Sequence, residues 1–337
     1  MKWTTHEFAK HGARPCTVER VRAGKRFIAI NGERVWVLAS HVHETKAAAQ
    51  LAAQERSKAW RAARGKCAAV LGGTVAPADR GAGMKIAADA RIVCQFSCGA
   101  ASAVATKLML AKYGEMRDVQ VVNAFIVQEH PDNRRFLADC EQWFGRAVTV
   151  LRDEKYGAST VEVFRRKQFM KGLRGAPCSG ALKRDVLNAW QKPGDVMVLG
   201  FTAEEEDRYD DIRERFPNAL APLIDAGLSK GDCLAMVERA GIELPMMYRL
   251  GYSNANCIGC VKGGMGYWNK IRRDFPAEFE ELAAVQESIG EGANLFRDRH
   301  SDERFSLREL PPDAGRHDEP LPACSFFCEI AEQEYAA

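Results

Sequence analysis

The stretch Arg91-Ile-Val-Cys-Gln-Phe-Ser-Cys-Gly-Ala-Ala-Ser-Ala-Val-Ala-Thr-Lys-Leu-Met-Leu, residues 91–110, constrains the fold more than any other. An apolar run passes through a turn of small residues into helical spacing, which predicts strand, tight loop and helix N-terminus. Such a loop aims several backbone N–H groups at one point where the helix dipole is positive, and a phosphate suits that point. Small residues serve the same turn in α/β proteins for packing alone, so the spacing leaves both readings open.

The surrounding pattern extends the argument. Apolar and helical segments alternate as strand 91–97, helix 102–113, strand 118–127, helix 133–144, strand 147–151, helix 180–190, strand 195–201 and helix 203–215. Alternation of these lengths predicts a doubly wound α/β fold, a parallel sheet with helices on both faces. Ligands of such sheets bind beyond the carboxyl ends of the strands. That rule gathers four loops: 97–102, 128–135, 176–183 and 201–208. Lys183, Arg184 and Arg208 in them are suited to phosphate charge, and Glu129, Glu204 and Glu205 to a ribose, Mg2+ or a proton. Strand exits followed by helix caps account for the same residues without a ligand.

Charge divides the chain. Residues 1–85 carry 16 Lys and Arg against 6 Asp and Glu, leaving 32 against 39 for the rest. A small basic α+β module, residues 1–71, is expected beside an acidic body, with an anionic partner as its natural use. Its hairpin is signalled by Asn31-Gly32 between two β-rich runs in 25–43, and its helix by the Ala-rich stretch 44–65 with Lys46, Arg56, Lys58, Arg61 and Arg64. Hairpin and helix together could hold nucleic acid by its phosphates; a solvated helical face explains the same charges. The breaker-rich stretch 72–85 reads as a linker, 86–290 as the main domain, and 291–337 as a C-terminal extension containing Cys324-Ser-Phe-Phe-Cys328. No apolar run reaches membrane-spanning length, so no membrane partner is expected. The N-terminus lacks an apolar signal core, and a cytoplasmic location is the expectation.

Eleven cysteines in a reducing compartment call for metal or redox chemistry rather than a disulfide framework. The one close pair, Cys257-Ile-Gly-Cys260, suits a zinc ion or an iron–sulfur cluster that takes further ligands from elsewhere. A packed pair of thiols is the alternative.

Several of these segments resemble the phosphoadenosine phosphosulfate (PAPS) reductase and N-type ATP pyrophosphatase superfamily. Its pyrophosphate loop is usually Ser-Gly-Gly-Lys-Asp-Ser; here Ser97, Gly99 and Ser102 match, Cys98 stands at the second position, and Ala100 and Ala101 replace the lysine and aspartate. Cys178-Ser-Gly-Ala-Leu-Lys183 is similar to the family's Cys-x-x-x-Leu-Lys element, and Gly200 to Arg208 to its strand exit. Ala221-Pro-Leu-Ile and Leu244-Pro-Met-Met-Tyr-Arg-Leu-Gly-Tyr252 resemble its closing stretches.

The resemblance covers residues 90 to 280 and implies an adenine nucleotide α-hydrolase-like fold. It also implies a [4Fe–4S] cluster on Cys178, Cys257 and Cys260, with Cys324, Cys328 or an open iron completing it. ATP would lie on Ser97, Cys98, Gly99, Ser102 and Arg184, with Mg2+, Lys183, Glu204 and Arg208 serving the chemistry. The implied activity is pyrophosphate release and sulfur transfer to a nucleotide or nucleic acid, with a sulfur-donor protein and a second copy of the chain as further partners. Reduction of adenylylsulfate or phosphoadenylylsulfate is a second expectation, although the chain lacks the reductases' terminal Glu-Cys-Gly. Nucleotide or nucleic-acid binding without catalysis, suggested by Ala100 and Ala101, is a third.

Overall fold

The computed structural model describes residues 86–316, apart from 88, 173–174 and 299–300, and five strands of the N-terminal region. Contacts divide the chain into two units, Met1–Pro77 and Ala78–Ala337. In the first, β1 (Lys2–Thr4), β2 (Arg14–Arg22), β3 (Lys25–Ile30), β4 (Glu33–Leu38) and β5 (Val42–His43) form an antiparallel sheet ordered β4-β3-β2-β1-β5. Ile30 lies opposite Glu33, the register of the expected two-residue hairpin. The expected helix 44–65 and linker 72–85 lie outside the described residues, as does 317–337 with Cys324 and Cys328.

The second unit is an α/β domain on a four-stranded, all-parallel sheet. Its strands are β6 (Ile92–Gln95), β7 (Val119–Ala124), β8 (Thr149–Leu151) and β9 (Val196–Val198), ordered β8-β7-β6-β9. Ile92, Val93 and Cys94 are fully buried, as a strand covered on both faces requires. Alternation assigns the covers. Val93 and Val122 pack with Leu187 and Ile212 on one face, whereas Cys94 meets Thr106 of α1 (Ala100–Tyr113) on the other.

The chain winds outward from β6 through β7 to β8, then returns to place β9 on the opposite side of β6. The order therefore reverses between β6 and β9, and their carboxyl ends open the crevice where such sheets take ligands. At their amino ends Arg91 joins Asp195 bidentately, at 2.8 and 2.5 Å, and lies over the Trp190 ring.

The strands are shorter than the sequence pattern suggests. The Leu199 N–H, on the side of β9 away from β6, donates to the Leu220 carbonyl at 2.8 Å. Three further helices matter for the site: α2 (Asp132–Phe144), α3 (Thr160–Lys167) and α4, which runs from Pro177 to Trp190 with a π turn over Gly180–Arg184.

A second core lies around Trp268 and Ile271 of α9 (Met265–Asp274), after α5 (Glu206–Arg215), α6 (Pro222–Asp225), α7 (Lys230–Arg239) and α8 (Met246–Arg249). It includes α10 (Pro276–Ile289) and Phe296, Leu307 and Leu310, and borders α3 through Val161 and Phe164. Asn269 donates to the carbonyls of Pro311 and Ala314, and Arg272 to those of Leu307 and Leu310, so the described part of 291–316 is fastened to α9. Among the described residues no helix is long and apolar enough to cross a membrane.

Gly200 sets the closest backbone approach at the crevice: a Cβ there would lie 2.9 Å from Ser102 Cα and 3.0 Å from Ser102 N. Gly200→Ala forces β9 away from α1, and thermal unfolding should register a loss of about 1–3 kcal/mol.

Candidate functional site

The β6 exit makes a sharp turn into α1. Cys98 takes a left-handed conformation (φ 56°) and Gly99 caps the helix. Ser102 Oγ accepts from Ser97 N–H at 3.2 Å and donates to the Gly99 carbonyl at 2.9 Å, closing the loop on itself. The Ser97 hydroxyl is 3.2 Å from that of Ser102, on an exposed residue. Opposite the loop stands half-buried Tyr248 of α8, its phenol oxygen 3.3 Å from where a Cβ at Gly99 would lie; burial pushes its pKa up to about 12, against the effect of the backbone at Ala100 and Ala255.

Cys98 contributes only backbone to the loop surface. Its side chain is buried, 3.6 Å from both Asn123 Nδ2 and Arg134 Nη2. Arg134 also donates to Asn123 Oδ1 at 3.1 Å and meets Glu129 at 3.4 Å. Glu129, buried at the β7 exit, accepts from Asn133 at 3.3 Å and faces Lys183 Nζ at 3.8 Å. Burial raises its pKa; Lys183, Asn133 and Arg134 oppose the shift. Burial, with Glu129 second, pushes the Cys98 thiol up to about 12.

Lys183 belongs to the π turn of α4 and is itself buried. Beyond it opens a small pocket. Cys178, Cys257 and Cys260 line it together with Lys183, Lys262 and Phe164. Cys178 enters from the first turn of α4, behind Pro177.

The Cys257–Cys260 turn is held from two sides. Ile258 N–H donates to the Gln128 carbonyl at 2.8 Å, and the Gln128 side chain is fixed by Thr160 N–H and Ser159. From the other side the Tyr267 hydroxyl accepts from Cys260 N–H at 2.9 Å and donates to the Cys257 carbonyl at 3.2 Å. Gly259 is left-handed (φ 70°), and a Cβ there would lie 2.2 Å from Leu282.

Three of the four expected loops therefore meet through Cys98, Glu129 and Lys183. The fourth touches the first at Gly200 and Ser102. Arg208 and Glu204 lie along this fourth loop. Arg208 pairs with Glu205 at 3.0 Å above the Phe201 ring, Glu205 caps Thr202, and Glu204 accepts from Lys230 N–H at 3.3 Å. Arg184 folds back over Gly180.

Asn123 and Lys262 complete the site and were not singled out by sequence, whereas Tyr248 lay within the closing stretch 244–252 without a role. The available signals were a lone amide in the apolar run Val119–Ala124 and a lysine two residues after Cys260.

Among the described residues no three His, Cys, Asp or Glu side chains form a group able to hold a single metal ion. A cubane differs from one ion, because it spreads its thiolates around a multi-atom core. Three thiols on one cavity, beside two lysines that complement an anionic cluster, suit that larger group. No family model and no curated protein sequence matches this chain.

Two measurements follow from the electrostatics. In metal-stripped protein at about pH 8, iodoacetamide should modify the half-buried Cys178 and Cys260 well before Cys98, as read by peptide mass mapping; equal rates would show that the loop opens. A carboxyl with a raised pKa favours folding below its ordinary range and ceases to do so as pH rises through its folded value. Urea titrations should therefore show Glu129→Gln gaining on the parent above that value and the two converging in acid.

Proposed function

We propose that this chain is an ATP-pyrophosphatase-type iron–sulfur enzyme with a doubly wound, adenine nucleotide α-hydrolase-like fold, which activates a nucleotide or nucleic acid and transfers sulfur to it. One observation carries the reading. Cysteines from two distant segments line a single cavity, and Lys183 on its wall pairs with the same Glu129 that adjoins the loop at the sheet's reversal point.

Cys178, Cys257 and Cys260 would hold the [4Fe–4S] cluster, with Cys324 or Cys328 as candidates for a fourth position. When bound, the cluster supplies the sulfur chemistry. The protein's own groups prepare the acceptor. Ser97, Ser102 and the backbone at Gly99 bind the pyrophosphate of ATP, and Gly200 leaves room for α1 to approach. An acceptor oxygen attacks the α-phosphate and pyrophosphate leaves; sulfur then displaces AMP. Lys183, oriented by Glu129, stabilises charge that develops toward the cavity, while Arg184 and Arg208 with Mg2+ serve the phosphate side. Glu129, with its raised pKa, is suited to holding a proton beside these cations. The basic N-terminal unit retains a polyanionic acceptor, a sulfur-donor protein replenishes the cavity, and the setting is the reducing cytoplasm.

Tyr248 favours a second reading. Its phenol stands against the loop at Gly99, and Ala100 and Ala101 bring no charge, which suits a nucleotide held without ATP cleavage. The reductase belongs here, and so does a non-catalytic nucleotide-binding protein.

Anaerobic purification decides the metal: a brown protein with iron and sulfide near cluster stoichiometry is expected, and a colourless zinc protein refutes the reading. Cys257→Ser should lose the cluster absorbance together with acceptor-dependent pyrophosphate release. Full activity in a cluster-free variant overturns the mechanism, and sulfite release with thioredoxin and no ATP establishes the reductase instead.

A further inference from the structure

Strand register divides the N-terminal sheet into two unlike faces. Arg20 lies opposite Phe27, and Phe27 opposite Trp36; Arg22 lies opposite Lys25, and Ala29 opposite Arg34. Successive residues of a strand alternate between faces, so Arg20, Arg22, Lys25, Phe27, Arg34 and Trp36 share one face with Thr17, Ala29 and Leu38. The other takes Val18, Val21, Ile28, Ile30, Val35 and Val37, with Arg26 and Glu33.

A register shift between Val18 and Arg20 skips Glu19 and produces this sorting. With unbroken alternation Arg20 and Arg22 would join the valines; the shift returns both to the face of Phe27 and Trp36.

Composition then distinguishes the faces. Six branched apolar positions mark one for packing, and four cations gather on the other. Two aromatics among those cations are the exception to a merely solvated surface. They occupy neighbouring strands, with Lys25 and Arg22 on one side and Arg34 on the other. Phosphates account for the cations, and unpaired bases, each with a π face, account for the aromatics. A duplex stacks its bases internally and would use only the charges.

We propose that the β2–β3–β4 face carrying Arg20, Arg22, Lys25, Phe27, Arg34 and Trp36 binds single-stranded nucleic acid. It deepens the acceptor reading and rests on that reading for its purpose, but binding needs neither ATP nor cluster, so each can fail alone.

The test uses the full-length protein and fluorescein-labelled oligothymidylate, oligouridylate and duplex DNA of equal length, followed by anisotropy across a salt series. Both single strands should bind more tightly than the duplex. Trp36→Leu and Phe27→Leu should each weaken binding about tenfold or more, while Trp36→Phe retains most of it. Arg22→Gln should reduce the slope of log Kd against log salt by about 0.7. Arg26→Gln, from the opposite face, should leave affinity and slope unchanged, and circular dichroism with thermal melting verifies that each variant folds. Equal duplex binding overturns the proposal. So do equal losses for Arg22→Gln and Arg26→Gln, unchanged binding in the folded Leu variants, or loss confined to Lys58→Gln and Arg61→Gln. A preference for one single strand over the other, with the same variant pattern, supports it.

Discussion

A carboxyl buried at a strand exit must be compensated, and Glu129 is compensated by groups drawn from separate parts of the chain. Asn133 and Arg134 come from the following helix, Lys183 from the π turn of α4. Because Arg134 also reaches Cys98 and Asn123, the same set of contacts fixes the inner side of the β6 loop. Removing Lys183 would leave the carboxylate harder still to ionise. Loop geometry, cavity wall and local charge are thus one arrangement.

The two halves of the crevice differ in character. On the β9 side, polar groups near the strand exit are spent on local structure: Glu205 caps its helix and Arg208 pairs with Glu205. On the β7 side they converge from distant segments onto an interior that also holds three thiols. Convergence of long-range polar contacts at one place marks the latter as the more specialised half.

Much of the α/β unit was legible because its signals are local. Apolar runs, small-residue turns and helical spacing set the order of strands and helices, and the strand-exit rule gathered the loops before any coordinates. The common cavity of Cys178 with Cys257 and Cys260 was expected from resemblance; spacing alone left the partners of the close pair open. Tyr248 lay inside the closing stretch 244–252, but nothing local places residue 248 against the loop at Gly99. The strand Arg14–Arg22 was missed for another reason: the shift at Glu19 breaks the two-residue period by which a strand is read. Register had to be seen before its arginines could be assigned a side of the sheet.

The π turn in α4 has a consequence for helical phase. In a regular α-helix each residue advances about 100°, so positions five apart, such as Cys178 and Lys183, fall on different sides of the axis. A turn closed by i to i+5 contacts brings such positions nearly into line. Cys178 and Lys183 both line the cavity, the first just before that wider turn and the second within it. Loss of one residue within it would give a more regular helix and point the thiol and the ammonium in different directions.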